Sequence, residues 1–136
     1  MIKNIKSKAR KNGDKIAFSL YCFDLGNGLI KLGYSNDLDR RAGEHFTSKT
    51  YALTSKPVLL GWVQVSTYIY GDKVGFIKAK AKAEELETIM FETCKKAGLV
   101  MYVETIQGKD TERFYKNPDI AEIDVKVRNV YKLRVS

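Results

Sequence analysis

Arg41 and His45, the only histidine of the chain, stand four residues apart in LDRRAGEHF, a stretch that reads as a helix. Residues at that spacing share one helical face. Arginine presents a planar fork that matches phosphate oxygens, and histidine carries a proton near neutral pH. The strand-like LIKLGY just before this helix adds Lys31 and Gly33. If a hairpin turns at Gly26–Asn27, Tyr21 lies opposite residues 31 to 33 and within reach of Lys31. A lysine beside a phenol favours the phenolate, drawing the ordinary pKa of about 10 down towards that of a general base. Gly33 leaves room for the approach of a backbone phosphate, and Tyr34 and Arg40 extend that contact on either side of the strand–helix junction. The chemistry these residue types offer is hydrolysis of a phosphodiester.

Such chemistry also asks for a carboxylate to hold a divalent cation. AKAEELETIMFETCKK supplies Glu84, Glu85, Glu87 and Glu92 on one long helix. At 100° per residue the apolar stripe centres near Leu86 and Met90. Glu87 lies about 70° from that centre and the other three roughly 130° or more away. Glu87 is therefore the expected ligand at the edge of the buried face. A lone carboxylate suits Mg²⁺ or Mn²⁺, with water and phosphate oxygens completing the shell.

The elements that must position these groups follow from local pattern. KIAFSLYCFD, rich in β-branched and aromatic residues, predicts a first strand over 15–24, with Phe18, Leu20 and Cys22 on one side and Ser19, Tyr21 and Phe23 on the other. LGNG supplies the turn, and 29–34 returns as the second strand. Asn36 reads as the N-cap of a helix that places Asp39 third and runs to about Phe46. PVLLGWVQVST predicts a third strand, with Trp62 in the core. A long helix is expected from about Phe76 to Ala97, stopped by Gly98. Short strands follow around LVMYVET and ERFY, and EIDVKVRNVYKLRV reads as a strand or an irregular tail. The order gives an α+β fold, a small, mainly antiparallel sheet flanked by helices.

With 136 residues and 44% apolar composition, the chain is long and apolar enough for one domain with a real core. No apolar run is long enough to span a membrane, and no secretory stretch follows the basic N-terminus, so an intracellular (cytoplasmic or host-cell) protein is expected. Cys22 and Cys94 lack metal-type spacing and suit two reduced thiols. The net charge is +8, from 24 basic and 16 acidic residues. Lys3, Lys6, Lys8, Arg10 and Lys11 form an acid-free arm over residues 1–14, and Lys126, Arg128, Lys132 and Arg134 mark a basic extension over 117–136. Such an excess points to a polyanionic partner, with the arm gripping a nucleic-acid backbone.

In this order and spacing the motifs over 17–116 resemble the GIY-YIG nuclease superfamily, in particular its short phage and viral branch. Leu20-Tyr21-Cys22 stands at the GIY segment, with Ser19-Leu20 where the family has glycine. Lys31-Leu32-Gly33 stands at YIG, with lysine replacing the tyrosine. Arg41 with His45-Phe46 is similar to the family's helix, Glu87 in ELETIMFE to its metal-binding glutamate, and residues 111–114 to its terminal strand. The resemblance implies a DNA endonuclease dependent on Mg²⁺ or Mn²⁺. Tyr21, helped by Lys31, would be the general base, Arg41 the phosphate clamp and Glu87 the metal ligand. His45 would orient water or protonate the leaving oxygen, and products would carry a 5′-phosphate and a 3′-hydroxyl.

Each residue also has an ordinary reading. Tyr21 suits any strand, Lys31 a strand edge, Arg40 and Arg41 a helix surface, and Glu87 a solvated helix face. Tyr51, Tyr68 and Tyr70 fit core or loop positions as well as base stacking. Two rival functions follow from these: a nucleic-acid-binding module without catalysis, or a factor of phage type that binds a host protein. Whether the chain acts alone or as a homodimer is left open.

Overall fold

The computed structural model describes residues 9–26, 29–47, 53–96, 101–106 and 109–116. Its elements are β1 (Lys15–Gly26), β2 (Leu29–Ser35), α1 (Leu38–Thr47), β3 (Val58–Ile69), α2 (Lys73–Lys96), β4 (Met101–Ile106) and β5 (Lys109–Lys116). The strands form one sheet in the order β3-β1-β2-β5-β4, and every neighbouring pair is antiparallel. With two helices packed on it, this is an α+β fold.

β1 lies inside the sheet and buries both faces, which its alternating sequence requires. Phe18, Leu20 and Cys22 join Ile30, Leu32, Val65 and Tyr68 beneath Ala79, Ala83, Leu86, Met90 and Phe91 of α2. On the opposite face Tyr21, Phe23 and Leu25 pack with Leu59 and with Ala42 of α1. Leu20 and Phe23, one from each layer, are fully buried. Burial of such a side chain stabilises by about 1.5–3 kcal/mol. Cys22 is buried in the larger layer.

The cap of α1 lies one residue, and the start of α2 three residues, from where the sequence pattern put them. Asp37, not Asn36, caps α1: its Oδ1 accepts the Arg40 N–H at 3.0 Å and its carbonyl accepts that of Arg41 at 3.0 Å. The Asp37 N–H in turn reaches Ser35 Oγ at 3.0 Å. Asn36 instead donates to the Tyr68 hydroxyl at 2.9 Å, tying the junction to β3. α2 begins at Lys73 because Asp72 caps it, accepting from Gly75 N–H at 3.1 Å. The apolar stripe that starts at Phe76 is blind to this first, solvated turn. Gly98 lies outside the described residues.

Trp62 is a correction of another kind. It is 57% exposed, because among the described residues β3 ends the sheet, and Trp62 stands on the face of Tyr21. Tyr68 is buried and Tyr70 exposed, while Tyr51 lies outside the described residues. Lys31 is not at an edge either, since β2 pairs with β5 there, Lys31 opposite Phe114.

The arm is docked from at least Arg10 onward. The Arg10 guanidinium bonds the Asn36 carbonyl and lies 3.9 Å from Asp37 Oδ2, and Gly13 N–H and Tyr70 N–H pair with Tyr70 and Asp14 carbonyls. Arg10 thus ties the arm to the β2–α1 junction. Lys11 is exposed; Lys3, Lys6, Lys8 and the basic extension over 117–136 lie outside the described residues. Among the described residues no helix is long and apolar enough to cross a membrane.

Candidate active site

The sequence-derived residues fall into two groups, and strand alternation decides which joins which. β1 and β2 pair with Tyr21 opposite Gly33, Phe23 opposite Lys31 and Leu20 opposite Tyr34. Paired residues share a face, so Tyr21, Gly33 and Lys31 look towards α1, while Tyr34 looks towards α2.

The first group is closed. The Tyr21 hydroxyl and His45 Nε2 lie 3.1 Å apart, a hydrogen bond whose direction follows the imidazole tautomer. Both residues are buried, at 2% and 3% exposure. Phe23 completes the cluster, its ring 4.8 Å from that of Tyr21 and edge-on to His45 at 5.9 Å. A Cβ at position 33 would stand 2.5 Å from the Tyr21 hydroxyl oxygen. Glycine is required there to receive the phenol, which occupies the space expected to admit a phosphate. Lys31 is buried on the same face, one pleat along from Tyr21.

The second group is open to solvent. The Tyr34 hydroxyl hydrogen-bonds the Glu84 side chain and lies in the fields of Glu87 and Arg41. Burial holds the Tyr34 pKa above its ordinary 10.0, the Glu84 and Glu87 charges and the Glu84 hydrogen bond raise it further, and Arg41 opposes them. Tyr34 therefore keeps its proton throughout the neutral range. Arg41 reaches this group from the first turns of α1. Its Nη1 lies 3.7 Å from Glu44, and its Nε is buried with no hydrogen-bond partner among the described residues. Neighbouring Arg40 is exposed, 3.6 Å from Glu44 and 3.3 Å from Asn36 Oδ1.

The charges of Glu87 on α2 and of Arg41 on α1 both act on Tyr34, in opposite directions. Glu87 is partly buried whereas Glu84, Glu85 and Glu92 are exposed, as the helical projection requires. Tyr21 and His45 meet each other, on the other face of β2. Tyr21 is 2% exposed, with its hydroxyl against His45 Nε2. The residue missed from sequence is Glu84, the hydrogen-bond partner of Tyr34. Its place on the helical projection reads as solvent-facing. The overlooked signal was the alternation that pairs Tyr34 with Leu20 and turns it towards α2.

No three His, Cys, Asp or Glu side chains among the described residues cluster as a ready-made metal cage. The donor set is still suited to a hydrated divalent cation. Two carboxylates crowd one phenol with a single guanidinium to balance them, and Mg²⁺ needs only one or two protein oxygens.

No family model matches the chain, and no curated protein or solved structure matches it.

Proposed function

We propose that this chain is a metal-dependent DNA endonuclease of the GIY-YIG type, and that the phosphodiester is handled at the open group rather than at Tyr21. The observation that carries this reading is the Arg41 Nε donor, buried with no hydrogen-bond partner among the described residues, beside the Glu84 and Glu87 charges that act with Arg41 on Tyr34. A buried unsatisfied guanidinium donor is costly unless an acceptor arrives, and a phosphate oxygen is the acceptor its geometry suits.

In this reading Arg41 binds the non-bridging phosphate oxygens and stabilises the charge that grows on them. Tyr34, held protonated, donates its hydroxyl to Glu84 and so orients that carboxylate. Glu84 takes a proton from the attacking water as that water's oxygen bonds to phosphorus and the bond to the 3′-oxygen breaks. The 3′-oxygen leaves as a hydroxyl after taking a proton from solvent, and the other end keeps the 5′-phosphate. Glu87 would hold Mg²⁺ or Mn²⁺, which supplies Lewis-acid stabilisation of the phosphate charge when bound. The Tyr21–His45 pair positions rather than reacts: it pins α1 to the hairpin one helical turn from Arg41.

The test is incubation of supercoiled plasmid and branched DNA with Mg²⁺, Mn²⁺ or chelator. The reading expects nicks with either metal, none with chelator, and 5′-phosphate ends that ligase reseals. Salt-sensitive DNA binding without nicking under any metal would overturn it in favour of a binding module.

A further inference from the structure

On the opposite flank of α2 from Glu84 and Glu87, an open groove of about 620 Å³ runs between the helix and β3. Its walls are Gln64, Ser66 and Thr67 from the strand and Lys78 and Lys82 from the helix. The two lysines sit at i and i+4, one above the other, about 6 Å apart along the axis. Neither makes an ion pair with a described residue, so the two like charges stand together on one wall of the groove, with Glu85 one helical turn beyond Lys82. Like charges at that spacing cost stability unless an anion bridges them. The groove floor is fixed, because Ser66 Oγ donates to the Ala79 carbonyl at 2.8 Å across it.

Two chemistries answer such a groove: an acidic peptide added to the outer edge of β3, or a sugar–phosphate backbone. The register of β3 decides between them. It is broken twice, between Ser66 and Gln64 and between Gly61 and Leu59, each time with one extra residue against β1. Bulges bend and twist an edge and interrupt the hydrogen-bond ladder that an added strand needs. A phosphate backbone needs no such ladder, only cations and hydroxyls. The chain's net charge of +8 favours the same partner and disfavours a second copy of itself.

We propose that the β3–α2 groove, through Lys78 and Lys82, is a second contact for a nucleic-acid backbone, separate from the Arg41–Tyr34–Glu87 group. The site rests on the nucleic-acid reading above but not on cleavage. It gives the protein a grip on substrate on both flanks of α2, so that strand contact does not depend on the reacting phosphate alone.

Binding of a labelled DNA duplex of about two helical turns, in chelator so that nothing is cut, tests this by its salt dependence. Each lost phosphate contact lowers the slope of log K against log salt by about 0.9, so Lys78→Gln/Lys82→Gln should lower it by about 1.8. Lys15→Gln/Lys96→Gln, which removes two exposed lysines elsewhere, should leave the slope unchanged. An unchanged slope in the groove variant, or an equal loss in both variants, would overturn the site. So would a poly-glutamate peptide that binds wild type but not the groove variant while the DNA slope stays fixed. Plasmid nicking is scored separately: cleavage with an unaltered slope refutes the groove alone, and a lowered slope without cleavage refutes the nuclease alone.

Discussion

The hydroxyl of Tyr21 and Nε2 of His45 lie 3.1 Å apart inside the protein, joining β1 to α1 across a surface neither residue shares with solvent. Such a bond contributes about 0.5–1.5 kcal/mol, and the energy belongs to the pair. Tyr21→Phe and His45→Ala should therefore be non-additive, the double variant losing less stability than the sum of the singles. Urea unfolding of the four proteins measures the coupling. Additive losses would mean that the two side chains act independently.

Gly33 is the seat of the same phenol. A methyl at that position meets the Tyr21 hydroxyl oxygen at 2.5 Å, so Gly33→Ala must push the ring off His45 or spread β1 from β2. The expected loss is about 1–3 kcal/mol, as for other overpacked sites. In a background of Tyr21→Ala, which removes the ring altogether, Gly33→Ala should cost almost nothing. An equal cost in both backgrounds would place the strain elsewhere.

Much of this was legible in the sequence, and the errors have physical causes. The two-sided alternation of β1 placed Phe18, Leu20 and Cys22 against one helix and Tyr21 and Phe23 against the other. The stripe of α2 singled out Glu87 as the least exposed of its four acids. The same alternation, followed one strand further, separates Tyr21 from Tyr34. Sequence proximity to Lys31 and Arg41 hid this, because spacing along the chain does not say which face of β2 each residue takes. Trp62 was misjudged because composition reports that a strand is apolar but not that it ends the sheet. The sequence places Arg10 in a basic arm and does not show its contacts, the Asn36 carbonyl and Asp37, because they lie in the distant β2–α1 junction.

That junction carries its own expectation. Asp37 caps α1 through Arg40 N–H and stands beside Arg10. Asp37→Ala should destabilise the fold by about 0.5–2 kcal/mol, the usual loss for an acidic N-cap, and Asp37→Asn by less. Chemical denaturation gives the difference. Equal losses in the two variants would assign the effect to charge rather than to the cap.

Tyr34 predicts a dependence on alkaline pH. Its folded pKa lies above the 10.0 of an unfolded chain, so the folded state holds this proton more tightly. The stabilisation is full below the unfolded value and is lost as pH rises from there through the folded value. Thermal unfolding between neutral and strongly alkaline pH should show that loss in wild type, reduced in Tyr34→Phe. Glu84→Gln removes a charge and alters the hydrogen bond, and should move the phenol's absorbance titration back towards 10. A titration unmoved by Glu84→Gln would contradict the pairing.

In the proposed mechanism Arg41 and Glu87 serve one phosphate. The most direct measurement is the plasmid-nicking rate of wild type, Arg41→Ala and Glu87→Ala under Mg²⁺, with folding checked by urea midpoint. Removal of a charge-stabilising group at a transition state costs about a hundredfold or more in rate. Both variants should fall by at least that factor while remaining folded, and the double variant should be little worse than either. Wild-type rates in a folded Arg41→Ala or Glu87→Ala protein would contradict the account.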